Sequence, residues 1–137
     1  MDIHERIAAQ ALDLLGAPFR LHGRSRTTGL DCVGLAALAA QQAGVRVDRL
    51  PVYQLRGMSL GNAEAALRSA GFEPVDGAGE GDLLIAQSGP MQLHLMIQTP
   101  RGLVHAHAGL GRVVLMPLPS PWPILGRWRL SISSIEG

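Results

Sequence analysis

The sequence predicts an α+β domain, with helices in its first half and an antiparallel sheet in its second. Three observations predict it. Apolar residues recur at helical spacing up to about residue 70, the period changes to two from Gly81, and the two kinds of segment do not alternate. A chain of 137 residues has the length of one domain, read here as residues 1–137, and can bury a core without disulfide or metal staples.

Each element follows from local chemistry. Ile3, Ile7, Ala11 and Leu14/Leu15 recur at helical spacing, and Gly16 with Pro18 ends that helix. A polar Gly- and Arg-rich loop follows, from His22 to Gly29. The stretch from Asp31 to Gly44 is rich in Ala and Leu, apolar nearly all round and closed by Gly44, which describes a buried helix. Asp31 suits its start, where a carboxylate meets free N–H groups and the positive end of the helix dipole. A third helix is expected from about Gly61 to Ala70, with Leu60, Ala63 and Leu67 on one face and Gly71 after it. Five short strands then follow: Leu83 to Ile85, Leu93 to Ile97, Leu103 to His107, Arg112 to Met116, and Gly126 to Ile132. Turn residues separate them at Ser88-Gly89-Pro90, Thr99-Pro100-Arg101-Gly102, Gly109-Leu110-Gly111 and a Pro-rich stretch from Pro117 to Pro123.

Composition removes several classes of function. Hydrophobic residues make up 47% and charged residues 17%, which is a folding composition and not a disordered one. A net charge of +1 provides no polybasic field for nucleic acid or an anionic membrane, and an aromatic content of 4% provides no stacking platform for single strands. All 12 cationic residues are Arg, so Lys-based mechanisms are excluded. The N-terminus lacks a basic region followed by an apolar run, so no signal peptide is expected, and no apolar stretch approaches the ~18 residues of a spanning helix. A single cysteine makes no intramolecular disulfide. It is either an inert buried hydrophobe or a nucleophile.

Four polar positions stand out against the apolar background: Cys32, His94, His105 and His107. Cys32 falls in the first turn of the buried helix, where the dipole and unpaired N–H groups favour thiolate and lower the cysteine pKa. His94 alternates with Leu93 and Leu95, and His105 shares a strand face with His107. A turn at Pro100-Arg101-Gly102 would pair these strands and set His94 beside His105 or His107. A helix-terminal cysteine with two histidines on neighbouring strands is an arrangement of nucleophile, base and orienter. Thiol and imidazole also suit zinc, but no tight spacing such as C-x-x-C or H-E-x-x-H occurs, so neither a metal nor an organic cofactor is expected.

With these residues in view, the chain resembles the NlpC/P60 cysteine peptidases. The motifs stand as Pro18-Phe19-Arg20-Leu21-His22-Gly23, Asp31-Cys32-Val33-Gly34, Gly81-Asp82-Leu83, His94-Leu95-Met96-Ile97 and Leu103-Val104-His105-Ala106, over about residues 5–130. The resemblance implies a papain-like fold, with the Cys-bearing helix packed on a five- to six-stranded antiparallel sheet. It also implies cleavage of an amide bond in bacterial cell-wall stem peptides, typically between D-glutamate and a diamino acid. Cys32 matches the nucleophile, His94 the general base and later acid, and His105 the residue that orients the imidazole. His107 competes for that third role, because His107-Ala108 repeats the dipeptide. Asp31, Phe19 and His22 fall on the substrate-binding side.

Two positions depart from the family pattern. The loop tyrosine is Phe19 and the serine after the nucleophile is Val33, which removes polar groups where family members hold the amino end of the stem peptide. The chain looks closer still to peptidases carried on phage tails and gene-transfer-agent particles, which implies phage-tail or particle partners. The location expected is then the cytoplasm of the producing cell or the particle itself. A non-catalytic tail or assembly module with the same fold is the alternative.

Of the lesser features, the Arg20, Arg24 and Arg26 trio reads as a solvated loop or a carboxylate-binding patch. Asp82 reads as a structural residue at a strand start. Trp122 and Trp128 read as covers of the sheet, or as a docking surface for a partner protein.

Overall fold

The structure is a computed structural model in which residues 1–45 and 58–131 are described. Helix α1 (Ile3–Asp13) opens with a capping box. The Asp2 side chain accepts from the Glu5 amide, and the Glu5 side chain accepts from the Asp2 amide, so two of the free N–H groups of the first turn are satisfied. Its apolar stripe of Ile7, Ala8 and Ala11 faces inward. Helix α2 (Cys32–Gln42) is buried at seven positions from Val33 to Ala40, because α1 covers one side of it and the sheet the other. That double burial is the reason its sequence shows almost no polar face. Helix α3 (Leu60–Ser69) is capped by the Ser59 hydroxyl, which accepts from the Asn62 amide, and Gly71 follows in the left-handed conformation at φ 97°.

Two short strands, β1 (Arg24–Ser25) and β2 (Gly29–Leu30), make a small hairpin just ahead of α2. The main sheet contains β3 (Phe72–Pro74), β4 (Leu83–Gly89), β5 (Gln92–Thr99), β6 (Gly102–His107), β7 (Arg112–Met116) and β8 (Ile124–Leu130). Its order is β3-β8-β4-β5-β6-β7, antiparallel throughout. The α+β expectation is met. The sheet has one strand more than periodicity indicates: β3 spans three residues and ends in proline, too short to show alternation. The last strand starts two residues earlier than expected, at Ile124, and the expected end at Ile132 lies outside the described residues.

The two faces of the sheet carry different partners. Leu83, Ile85, Leu93, Leu95, Ile97, Val104, Ala106 and Trp128 join Leu14, Leu35 and Ala39 in the main core beneath the helices. The opposite face bears Leu84, Ala86, Met96 and Leu103, covered in part by Met116, Trp122 and Ile124. Asp82, fully buried ahead of β4, accepts a two-pronged ion pair from Arg129 on β8, at 2.8 and 2.9 Å. This pair fastens the start of β4 to the strand beside it.

Candidate active site

The site begins with the start of α2. Asp31 is its N-cap, and its Oδ1 accepts from the Gly34 amide at 2.7 Å. The same carboxylate draws in the preceding loop: Oδ2 accepts from the His22 amide at 2.7 Å, and Oδ1 also accepts from Arg24 Nη1 at 3.1 Å. With 5% of its surface exposed, Asp31 is committed on both oxygens. Glycine is required on either side of this junction. A Cβ at Gly34 would run into the Gly23 carbonyl oxygen, and one at Gly23 would run into that of Gly29. The spacing Asp-Cys-x-Gly therefore has a local reason: the aspartate caps, the glycine lets the loop lie on the first turn, and the cysteine between them is held at the helix end.

Cys32 is the first residue of α2 and keeps part of its surface open. Pairing between β5 and β6 stops at Ile97–Val104, so the preceding part of β5 is not bonded to β6. The start of α2 lies near that opening, since the helix packs on β5 and β6, and the Leu95 amide, next in chain to His94, is near enough to the sulfur to favour its charged form. Burial of the sulfur pushes the thiol up to about 11. The Leu95 amide works against that shift, the Asp31 carboxylate adds to it, and the amides of Val33 and Cys32 oppose it. The sequence expectation of a thiolate favoured by the helix dipole is thus reversed in the resting site: desolvation of the charged sulfur outweighs the N–H groups around it. Among the described residues no hydrogen bond joins the sulfur to an imidazole. Catalytic contacts are commonly long before substrate binds.

The histidines gather on the sheet face away from the main core. His94 on β5 is half-buried, and its ring meets that of His105 on β6 edge to face, with centroids 6.1 Å apart. His105 is fully buried, and neither of its ring nitrogens has a hydrogen-bond partner; nor does Nδ1 of His94. His107 lies 5.4 Å from His105 by ring centroids, but its Nδ1 already accepts from the Leu110 amide. Continuing the Ile97–Val104 register would set His107 across from His94 and His105 on the diagonal. The expectation that the hairpin gathers these histidines is met.

Burial lowers the pKa of His94, and the neighbouring His107 lowers it further. Burial and the two neighbouring histidines bring His105 down to about 4. Both rings are therefore neutral around pH 7, as is the thiol.

The other predicted residues sort differently. Phe19 is partly buried against the main core, and its amide donates to the Gly111 carbonyl at 2.8 Å. His22 contributes through its backbone, at a left-handed φ of 61°, while its side chain is exposed. Arg24 pairs with Asp31, and Arg26 reaches Asp13 at 3.4 Å on the surface. Trp128 is buried in the main core with Arg68 over its ring at 5.1 Å, as expected of a residue that covers the sheet. Trp122 is where sequence reasoning fell short. Its ring lies 5.2 Å from His94 and 5.4 Å from His105, inside the site. Trp122 and Ile124 alternate onto one face, but only the β8-β4-β5 register shows that His94 shares it. Among the described residues, no three His, Cys, Asp or Glu side chains are arranged to hold a metal ion, and no helix is long and apolar enough to cross a membrane.

A family comparison decides the relationship, matching residues 16–117 to the NlpC/P60 family. The chain belongs to the NlpC/P60 family. Its fold is similar to the NlpC/P60 domain of the peptidoglycan hydrolase SagA, with a TM-score of 0.64 at 23% identity over 94% of this chain and 98% of that one. It is similar as well to the P60 domain of an antigen from M. avium subspecies paratuberculosis (TM-score 0.62, 21% identity, 93% of each chain). NlpC1 from Trichomonas vaginalis gives a TM-score of 0.61 at 19% identity, over 92% of this chain and 44% of that one. A search of curated protein sequences returned no significant match. Cys32, His94 and His105 all lie inside the segment that defines this NlpC/P60 chain; Trp122 lies beyond it.

Proposed function

We propose that this chain is a cysteine peptidase of bacterial cell-wall stem peptides, cutting the amide bond between D-glutamate and a diamino acid. The observation that carries the reading is the single cysteine at a capped helix end packed on the strand that bears His94, with His105 beside that ring. Family membership supplies the substrate class.

The resting charges favour general-base catalysis over a preformed ion pair. His94 takes the thiol proton as Sγ of Cys32 attacks the carbonyl carbon, and the oxyanion that forms accepts from the Cys32 amide at the start of α2. Collapse breaks the C–N bond, the leaving amine takes the proton from His94, and a thioester remains on Cys32. A water molecule, deprotonated by His94, then attacks the thioester and returns the thiol. His105 serves as the neutral ring that orients His94. Asp31 acts through the loop it holds, and Phe19 offers an apolar wall in place of a hydroxyl. No metal or organic cofactor enters these steps.

Carriage on a phage-tail or gene-transfer-agent particle is part of the same proposal. Val33 and the Trp122 segment support it.

The test is mass analysis of fragments from purified peptidoglycan incubated with wild type and with Cys32→Ala. Wild type should release peptides ending at D-glutamate, and Cys32→Ala none. Fragments from both proteins would refute a thiol mechanism. Wall binding without any fragments would instead establish the non-catalytic module.

A further inference from the structure

Two polar rings at the centre of the site have almost nothing polar to hold them. Nδ1 of His94 and both nitrogens of His105 are buried without hydrogen-bond partners, and the two rings meet edge to face, not nitrogen to nitrogen. An imidazole lacking such a bond is free to turn about its Cβ–Cγ bond unless packing prevents it. Packing is supplied by Trp122. Its indole lies on the His94 ring at 5.2 Å and a tilt of 32°, and stands edge-on to His105 at 5.4 Å and 79°. The contact with His105 is the T-shaped arrangement that aromatic rings prefer, and the contact with His94 is a tilted one within the same range of centroid separations.

Trp122 is itself held from several sides. The Ser120 hydroxyl accepts from the Trp122 amide and donates to the Trp122 carbonyl, both at 3.0 Å, and Pro121 and Pro123 restrict the backbone on either side. The Pro123 carbonyl accepts from the Gln87 amide at 3.0 Å. One residue on, Ile124 pairs with Ala86, which pairs with His94 on the far side of β4. The segment bearing the indole is thus registered through one intervening strand onto the histidine it covers.

We infer that Trp122 is a positioning residue of the catalytic centre, its indole fixing the plane of the His94 ring and keeping water from the paired imidazoles. This inference rests on the peptidase reading for its effect on turnover, but not for its effect on the ring. Other groups face His94 too: His105 and His107 from β6 and the uncharged Ala86 from β4. Of these, His105 meets the ring only edge-on and at 6.1 Å, farther than the indole at 5.2 Å. Removing the indole admits water to His94, which favours its charged form and raises its pKa toward the ordinary value of about 6.5. Because the neutral ring is the base, the acid limb of the rate profile then moves to higher pH.

The experiment compares wild type, Trp122→Ala and Trp122→Phe, following His94 by NMR titration of its ring protons and hydrolysis of cell-wall peptide by kcat and KM. Trp122→Ala should raise the His94 midpoint by about half a unit or more. It should lower kcat at least tenfold, leave KM within about threefold, and shift the acid limb in step. Trp122→Phe keeps a flat ring on His94 and should stay within about threefold of wild type at an unchanged midpoint. An unaltered His94 titration in Trp122→Ala, or a loss of kcat with no movement of the acid limb, overturns the inference. If Trp122→Ala fails to fold, a Trp122→Phe protein that folds but loses the wild-type midpoint overturns it equally, and one that keeps the midpoint supports it. If wild type hydrolyses no wall peptide, the peptidase reading falls, and the titrations still decide the role of Trp122.

Discussion

The chemical state of Cys32 before substrate arrives can be measured directly, because it is the only cysteine in the chain. Its thiol is pushed up to about 11, whereas a free cysteine ionises near ~8.5. At pH 7 that difference leaves about 300-fold less thiolate than in a free cysteine. A more basic thiolate attacks a disulfide faster, with a Brønsted slope of about 0.4–0.5, which recovers roughly tenfold. The net expectation is a reaction about 30-fold slower than that of free cysteine. The assay is the stopped-flow reaction with a neutral aromatic disulfide such as dithiodipyridine, from pH 5 to 10. The rate should climb through the whole range without a plateau at its acid end. A plateau reached below pH 7, at rates above those of free cysteine, would show a thiolate–imidazolium pair at rest. The balance argued here, with desolvation prevailing over the helix end and the Leu95 amide, would then be wrong.

Two more outcomes follow from the geometry. Asp31→Ala removes the cap of α2, worth about 1 kcal/mol, and the charged hydrogen bonds to the His22 amide and partly exposed Arg24. Together these losses destabilise by about 3 kcal/mol, read as a fall of roughly 10 °C in Tm by calorimetry; a change under about 1 kcal/mol would contradict the pinning of the loop. His105→Ala should lower kcat more than about a hundredfold, whereas His107→Ala, whose ring is committed to the Leu110 amide, should stay within about tenfold. The reverse ranking would move the third role to His107.

Much of this architecture is legible in the residues. Helix α2 is visible because an aspartate cap, an apolar run and a closing glycine point to one element, and the hairpin carrying His94 and His105 because its turn residues fix its register. What stays hidden depends on pairings distant in sequence. The short strand β3 exists only because β8 lies beside it. Asp31 carries an arginine that composition assigns equally well to a solvated loop. Trp122 reads as a cover of the sheet until the β8-β4-β5 register brings it onto His94. The pKa of Cys32 is hidden for a different reason: its local sequence displays the helix end that lowers it, while the burial that raises it comes from elements folded around it.

The position of β8 has a consequence for how the protein is made. The last described strand is not an edge strand; it lies between β3 and β4. On the ribosome, β4 can pair with β5 as soon as that hairpin emerges, but its other side, with buried Leu83 and Ile85, waits for Ile124–Leu130. At about 5–20 residues per second, the chain from Gly89 to Ile124 takes a few seconds to appear. Throughout that time an apolar strand edge is open to any passing chain, the situation in which edge-to-edge aggregation begins. The segment that closes the edge also delivers Trp122, so the nascent chain seals its sheet and covers its histidines in the same late event.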